Sequence, residues 1–114
     1  MNPELILIPD FEKRGGIIPV VIQDVVTLEV ITLAYTRKEE HAETLQTREV
    51  VLYSTSRDCR WKKGEVKSGN IYRLQQFRLD CDKDAIVYVV LQTKPEAGAC
   101  HTGATSCFST VWEA

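Results

Sequence analysis

Apolar and polar positions along the chain fall into strand-like runs broken by one helix-like stretch. Residues 17–23 and 26–35 are rich in Val, Ile, Leu and Thr, and the second run partly alternates apolar with polar positions. Both features predict paired strands with Asp24 at their turn. From Thr36 the composition shifts to good helix formers, and Thr36 with Glu39 has the spacing of a capping box, which predicts one short helix to about Gln46. His41, set among Glu39, Glu40 and Glu43, reads as a residue of an exposed helix face and receives no role.

Strand composition returns at residues 50–54. Residues 71–79 place Ile71, Arg73, Gln75 and Phe77 on one face against Tyr72, Leu74, Gln76 and Arg78 on the other, a mixed pattern that suits an edge or an interface. Residues 85–92 are almost continuously apolar, as expected for a sheet centre or a subunit contact. Pro95 opens a loop that leads into Cys100, and residues 108–112 have the composition of a final short strand. Strands outnumber helices and no repeat or linker is visible, so residues 1–114 are expected to form a single α+β domain. Its sheet would be antiparallel or mixed, with the chemistry on loops held by strands.

Size and charge narrow the classes. With 114 residues and 12.9 kDa, surface scaling leaves roughly 6,300 Å² exposed of roughly 18,700 Å², enough for one core. Hydrophobic residues at 44% and charged residues at 26% exclude a disordered or low-complexity chain. The longest apolar run, Ala85-Ile86-Val87-Tyr88-Val89-Val90-Leu91, is far short of the ~20 residues of a membrane-spanning helix. Met1-Asn2-Pro3-Glu4 lacks the basic and apolar segments of a secretory signal, so the expected compartment is the cytoplasm, without a membrane partner. A net charge of -2 argues against a general nucleic-acid binder. A reducing compartment disfavours disulfides, which turns the 4 cysteines toward metal chemistry.

Three constellations can carry that chemistry. In Asp80-Cys81-Asp82-Lys83-Asp84 an extended backbone would place the aspartates on one face and Cys81 on the other. Three close carboxylates suit Mg²⁺ or Ca²⁺, while a solvated acidic turn is the plainer reading. In Cys100-His101-Thr102-Gly103-Ala104-Thr105-Ser106-Cys107 the glycine lets the loop fold back and bring both sulfurs to one ion. Cys81 can supply a third ligand and leave zinc a fourth, open position, the arrangement of a catalytic site. Cys59 is read as an ordinary thiol, although it can instead close a four-cysteine structural site. His101 has three readings: a further ligand, a general acid/base, or a loop residue.

The third constellation runs from Ser54 to Asn70. Residues 57–67 carry five basic and two acidic side chains, a local +3 against -5 elsewhere. Arg57, Lys62 and Lys63, with the hydroxyls and glycines around them, suit a phosphate, and Trp61 suits stacking on a base or ribose. The alternative is an exposed hairpin loop with solvated lysines.

Together these segments resemble phosphoribosyl-AMP cyclohydrolase, a family of histidine biosynthesis that opens the adenine ring of 1-(5-phosphoribosyl)-AMP. The resemblance rests on Arg78-Leu79-Asp80-Cys81-Asp82-Lys83-Asp84 and on Cys100-His101-Thr102-Gly103-Ala104-Thr105-Ser106-Cys107-Phe108. Ser54-Thr55-Ser56-Arg57, Trp61-Lys62-Lys63-Gly64-Glu65, Ser68-Gly69-Asn70 and Leu33-Ala34-Tyr35 support it. It implies an obligate homodimer in which Cys81 of one subunit and Cys100 and Cys107 of the other bind zinc, with magnesium at Asp80, Asp82 and Asp84. His101, by its place beside Cys100 in the sequence, is the expected catalytic proton acceptor, and Arg57, Lys62 and Lys63 by their charge, with Trp61, Ser68 and Asn70, are the expected substrate contacts. The chain departs from the family pattern at Thr36-Arg37, where Met and then Asn are usual, and at Val66-Lys67, which is one residue longer than usual. The competing expectations are a non-catalytic zinc-stabilised interaction domain and a divergent cyclohydrolase for another purine nucleotide.

Overall fold

In the computed structural model, which describes residues 7–65 and 68–114, side chains of β1 (Ile18–Asp24) alternate between buried and half-buried along the strand. The N-terminal Met1-Asn2-Pro3-Glu4 and the departure at Val66-Lys67 lie outside the described residues. β1 pairs antiparallel with β2 (Val30–Thr36) and parallel with β6 (Ile86–Gln92), and β6 pairs antiparallel with β5 (Tyr72–Leu79). The resulting sheet has the order β2-β1-β6-β5. The parallel β1–β6 register sets Val20 beside Ile86 and Ile22 beside Tyr88, so both strands send large apolar side chains to one face. Helix α1 (Lys38–Thr47) and the hairpin of β3 (Val51–Ser54) with β4 (Cys59–Lys62) complete the fold. Val50 and Leu52 join Ile18, Val20, Ile22, Tyr72, Tyr88 and Val90 in one core. The domain is therefore α+β, strand-dominated, with one short α-helix, as the residue pattern predicts. Among the described residues, no helix is long and apolar enough to cross a membrane.

Several details depart from the sequence-based expectation. Thr36 does not cap the helix: it is fully buried as the last residue of β2, paired with Ile18, and Arg37 takes the cap position without a side-chain cap bond. Arg37 instead grips the buried Glu40 carboxylate through Nε at 2.7 Å and Nη2 at 2.8 Å, with its guanidinium 4.2 Å from the Tyr53 ring centre. The expected face of β5 changes partway, because Gln75 is bulged between the Leu74–Val90 and Gln76–Val89 pairs. One extra residue reverses strand parity, so Tyr72, Leu74, Phe77 and Leu79 share the core side. Cys59–Lys62 is a strand inside the segment expected to be loop, and residues 108–114 form no strand. Val111 and Trp112 there are 69% and 86% exposed, with nothing to pair against.

His41 is likewise not on an exposed face. It is 4% exposed, shares a 2.5 Å hydrogen bond from Nδ1 to the Tyr88 hydroxyl, and lies edge-on to Phe77. The inward face of α1 is polar, made of Glu40, His41 and Thr44. The Thr44 hydroxyl accepts the Val51 N–H at 2.9 Å and so docks the helix on β3.

The outer sheet face carries apolar residues, several of them partly exposed among the described residues. Register puts Pro19, Val21, Leu33, Tyr35, Val87 and Leu91 on that side. Leu33, Tyr35 and Leu91 are 47%, 37% and 40% exposed.

Candidate functional site

The cysteine loop follows β6 and folds back on itself. Ala99 and Cys100 both donate backbone N–H groups to the Ala104 carbonyl, and Gly103 N–H returns to the Cys100 carbonyl at 2.8 Å. Gly98, at φ +80°, crosses so close to Gly103 that an added Cβ would lie 2.7 Å from its carbonyl oxygen. The far end of the loop is stitched to β2: Ser106 Oγ donates to the Val30 carbonyl at 2.6 Å, and Cys107 N–H to that of Ile31 at 2.8 Å. Cys100 Sγ accepts the Thr102 hydroxyl at 3.2 Å. Hydrogen bonds from Thr102 outweigh desolvation and, with Cys107 and the Lys63 cation close by, hold the Cys100 thiol below its ordinary pKa. The loop therefore brings together two thiols, one of them biased toward thiolate, as a soft metal site needs. His101 is exposed, with Nδ1 3.9 Å from Cys100 Sγ.

Two residues of the basic segment and its neighbouring strand approach this loop. Lys63 Nζ donates to the Ala99 carbonyl at 3.2 Å and sits 5.3 Å from the Trp61 ring centre and 5.5 Å from that of Tyr72. Burial lowers the pKa of Lys63, with the two cysteines opposing. Tyr72 is fully buried, its hydroxyl has no hydrogen-bond partner, and burial pushes its pKa well up. Gly64, at φ +82°, leaves room for the Asn70 carbonyl oxygen well inside contact distance of where a Cβ would stand, which packs Gly64 directly against the Asn70 backbone.

The other expected substrate residues are distributed differently. Lys62 is held by Glu49 at 2.6 Å, so it is an ion-paired strand residue. Arg57 lies exposed at the tip of the β3–β4 hairpin, and Trp61 is 44% exposed on β4. Ser68 Oγ accepts the Asn70 N–H at 3.1 Å. Asn70 is 1% exposed, with its amide committed to Gln92 and to the Lys94 N–H.

The aspartate segment is a turn, which corrects the extended reading. Asp80 N–H bonds the Ala85 carbonyl, Lys83 stands at φ 66°, and Asp82 N–H bonds Asp80 Oδ1 at 2.8 Å. The turn brings the ligand atoms of Asp80, Cys81 and Asp82 within 4.8 Å of one another, so Cys81 does not face away from the first two carboxylates. Asp84 is outside that group of three but lies within hydrogen-bonding reach of Asp82, and it is buried and ion-paired with Arg14 at 3.0 Å and Lys13 at 3.5 Å. Lys13 also reaches Asp82 at 2.9 Å, and Asp82 is held below the usual carboxylate range first by its hydrogen bonding with Asp80 and then by Lys13. Sequence reading missed Lys13 and Arg14, because nothing local signals that a short turn at Glu12–Arg14 packs against a loop about 70 residues away.

Cys81 and Cys100 flank β6 at opposite ends. Its seven residues, at about 3.3 Å each, put about 20 Å of strand between the two loops. Within one chain the three cysteines are not one site. Among the described residues Cys59 enters no group of three ligating side chains and is exposed at the start of β4.

Comparison with known proteins assigns the chain. The family model for phosphoribosyl-AMP cyclohydrolase matches residues 32–109. The chain is 48% identical over 99 residues to the phosphoribosyl-AMP cyclohydrolase of Nitrosopumilus maritimus (strain SCM1), covering 87% of this chain and 88% of that protein. It is 47% identical over 100 residues to the one from Bacillus cereus (strain Q1), covering 88% and 93%. A histidine biosynthesis bifunctional protein of Bacillus subtilis (strain 168) matches at 47% over 97 residues, 85% of this chain but 44% of that longer protein. With most of its length matched, including both the aspartate turn and the cysteine loop, this chain belongs to the phosphoribosyl-AMP cyclohydrolase family.

Proposed function

We propose that the chain hydrolyses the N1–C6 bond of the adenine ring of 1-(5-phosphoribosyl)-AMP in histidine biosynthesis, as a homodimer with zinc shared between subunits. The observation that carries the shared site is the separation of Cys81 from Cys100 by the length of β6. A second copy supplies the missing thiolate, and the partly exposed apolar face around Val21, Leu33 and Leu91 is a surface on which it can sit. The donor set fits zinc: Cys100 is biased toward thiolate and lies close to Cys107. Zinc held by the three cysteines would have a position left for water and would bring the pKa of that water down toward neutrality.

The chain's own groups do the rest. His101, exposed beside Cys100, takes the proton of the attacking water as oxygen adds to C6, and N1 takes up a proton as its bond to C6 breaks. Trp61 offers an exposed ring to the base or ribose, and Arg57 and Lys63 offset phosphate charge. Lys62 joins them only by leaving Glu49, and Ser68 and Asn70 shape the loop. Asp80 and Asp82 would hold magnesium, with Asp84 added if it exchanges Arg14 for the ion.

The test uses phosphoribosyl-AMP and follows the ultraviolet change of ring opening with and without a chelator. Cys81→Ser and Cys107→Ser proteins, each inactive alone, are then mixed after subunit exchange. Random pairing makes about half the dimers mixed, each with one intact site of two, so about a quarter of wild-type activity returns. No turnover by the wild type overturns the reaction, and no recovery on mixing overturns the shared site.

A further inference from the structure

A row of hydrogen bonds crosses the end of the sheet beneath the cysteine loop. Lys94 N–H donates to Asn70 Oδ1 at 2.9 Å, Asn70 Nδ2 to Gln92 Oε1 at 2.8 Å, and Gln92 Nε2 to Asp24 Oδ2 at 2.6 Å. Both ends fix its direction. A backbone N–H can only donate, and an ionised carboxylate can only accept, so the two amides between them have one arrangement that leaves no donor facing a donor. Burial alone would raise the pKa of Asp24, but hydrogen bonds from Thr27, Gln92 and Val26 outweigh it and keep the carboxyl ionised at neutral pH.

The same carboxylate holds a second structure. Its Oδ1 accepts the N–H groups of Val26 at 2.7 Å and Thr27 at 3.0 Å, shaping the turn into β2. From that turn and strand the Val30 and Ile31 carbonyls receive Ser106 and Cys107. Asp24 thus touches, through one oxygen, the support of Cys107 and, through the other, the row that ends on Lys94 at the root of the cysteine loop. Asn70 lies midway, and its carbonyl packs on Gly64, next to Lys63.

We propose that Asp24 is a positioning residue: its carboxylate sets the direction of the Gln92–Asn70 amide row and thereby holds Lys63, Gly64 and Asn70 in fixed placement relative to the cysteine loop. The proposal rests on the reading of the loop that carries Lys63 as the substrate-holding one. In Asp24→Asn the side-chain oxygen stays with Val26 and Thr27, which turns an NH₂ toward the Gln92 NH₂. Gln92 and Asn70 then flip together, so that the buried amides keep their partners and the donor-to-donor contact falls on the Lys94 N–H, at the exposed end of the row. Asp24→Asn with Gln92→Glu removes the conflict, because the carboxylate introduced in place of the Gln92 amide accepts from both neighbours and Asn70 keeps its orientation.

The test compares wild type, the single variant and the double variant by amide hydrogen exchange at Lys94 and by steady-state kinetics on phosphoribosyl-AMP. In Asp24→Asn, Lys94 exchange speeds up and KM rises, each about tenfold for one lost hydrogen bond, while kcat moves less. The double variant restores both. Unchanged Lys94 exchange, or a double variant no better than the single one, overturns the amide row. Exchange that changes and is rescued while KM stays constant overturns the substrate-loop reading, and the positioning role with it. Should Asp24→Asn fail to fold, the double variant must fold; failure of both overturns the proposal.

Discussion

His41 should make this protein lose stability on mild acidification, and replacing it should remove that loss. The ring is 4% exposed, and desolvation lowers its pKa from 6.5 to about 4. Nδ1 bonds the Tyr88 hydroxyl, while Nε2 is buried without a partner, so a second ring proton would have no acceptor. The folded state therefore binds the proton less readily than the unfolded chain does. Between pH 6.5 and pH 4 the unfolded chain takes up a proton that the fold refuses, and stability falls as the pH falls. At about 1.4 kcal/mol per tenfold change in proton affinity, the full loss is about 3 kcal/mol, most of it reached by about pH 4.5.

The comparison is between wild type and His41→Leu, unfolded in urea at about pH 7.5 and about pH 4.5 at one fixed protein concentration, which keeps the contribution of the proposed homodimer constant. Carboxylates paired with cations weaken in both proteins, so the difference between them isolates the histidine. At the higher pH the leucine removes an orphan nitrogen but takes one partner from the Tyr88 hydroxyl, which keeps Thr44 and Thr36, and the net change should be within about 1 kcal/mol. On going to the lower pH His41→Leu should gain about 2–3 kcal/mol relative to wild type. Parallel losses in the two proteins would refute the reasoning.

Three other outcomes are expected. Asp84→Asn should destabilise the domain by about 1–3 kcal/mol in urea unfolding, because a buried carboxylate loses its ion pairs with Arg14 and Lys13, tempered by the half-exposure of both cations. Gly64→Ala should cost about 2 kcal/mol or more and raise KM, since it adds strain at positive φ to a collision with the Asn70 backbone; a melting temperature equal to wild type would contradict it. Thr102→Val should raise the Cys100 thiol pKa and slow its alkylation at neutral pH in metal-free protein, followed by mass at that peptide.

The apolar runs made β1, β2, β3, β5 and β6 legible, because strands that line a core need Val, Ile and Tyr whatever surrounds them. β4 was not legible: Cys-Arg-Trp-Lys is an exposed edge whose pairing comes from β3 and whose arginine and lysine are neutralised by Glu43 and Glu49. The two faces of β5 could not be read, since a bulge at Gln75 reverses parity without leaving a compositional mark. Helix α1 was readable as a helix but not by its inward face, where His41 and Thr44 stand in place of the usual apolar stripe. The cysteine loop was legible through Gly103 and the paired thiols. The aspartate segment was misread as extended, because local pattern does not reveal that Asp80 N–H would turn back to Ala85.

Buried polar contacts lie at both ends of the sheet as well as under α1, and the ends bear on function. Asp84 lies at one end of β6, while Asp24, Asn70 and Ser106 lie at the other, with Val20, Ile22, Ile86 and Val90 between them. Apolar packing resists separation but is not directional, so a core of this kind holds strands together without dictating where the loops beyond them aim. Hydrogen bonds are directional, and a buried one left unmade costs about 1–3 kcal/mol, so each of these contacts penalises any other placement of its loop. The shared zinc site proposed above would need that at both ends. In it Cys81 would reach the other copy from one end and Cys100 and Cys107 would meet it from the other, so errors at the two ends of β6 would add. On this view the ion pairs around Asp84 and the amide row from Asp24 serve the same geometric requirement from opposite sides.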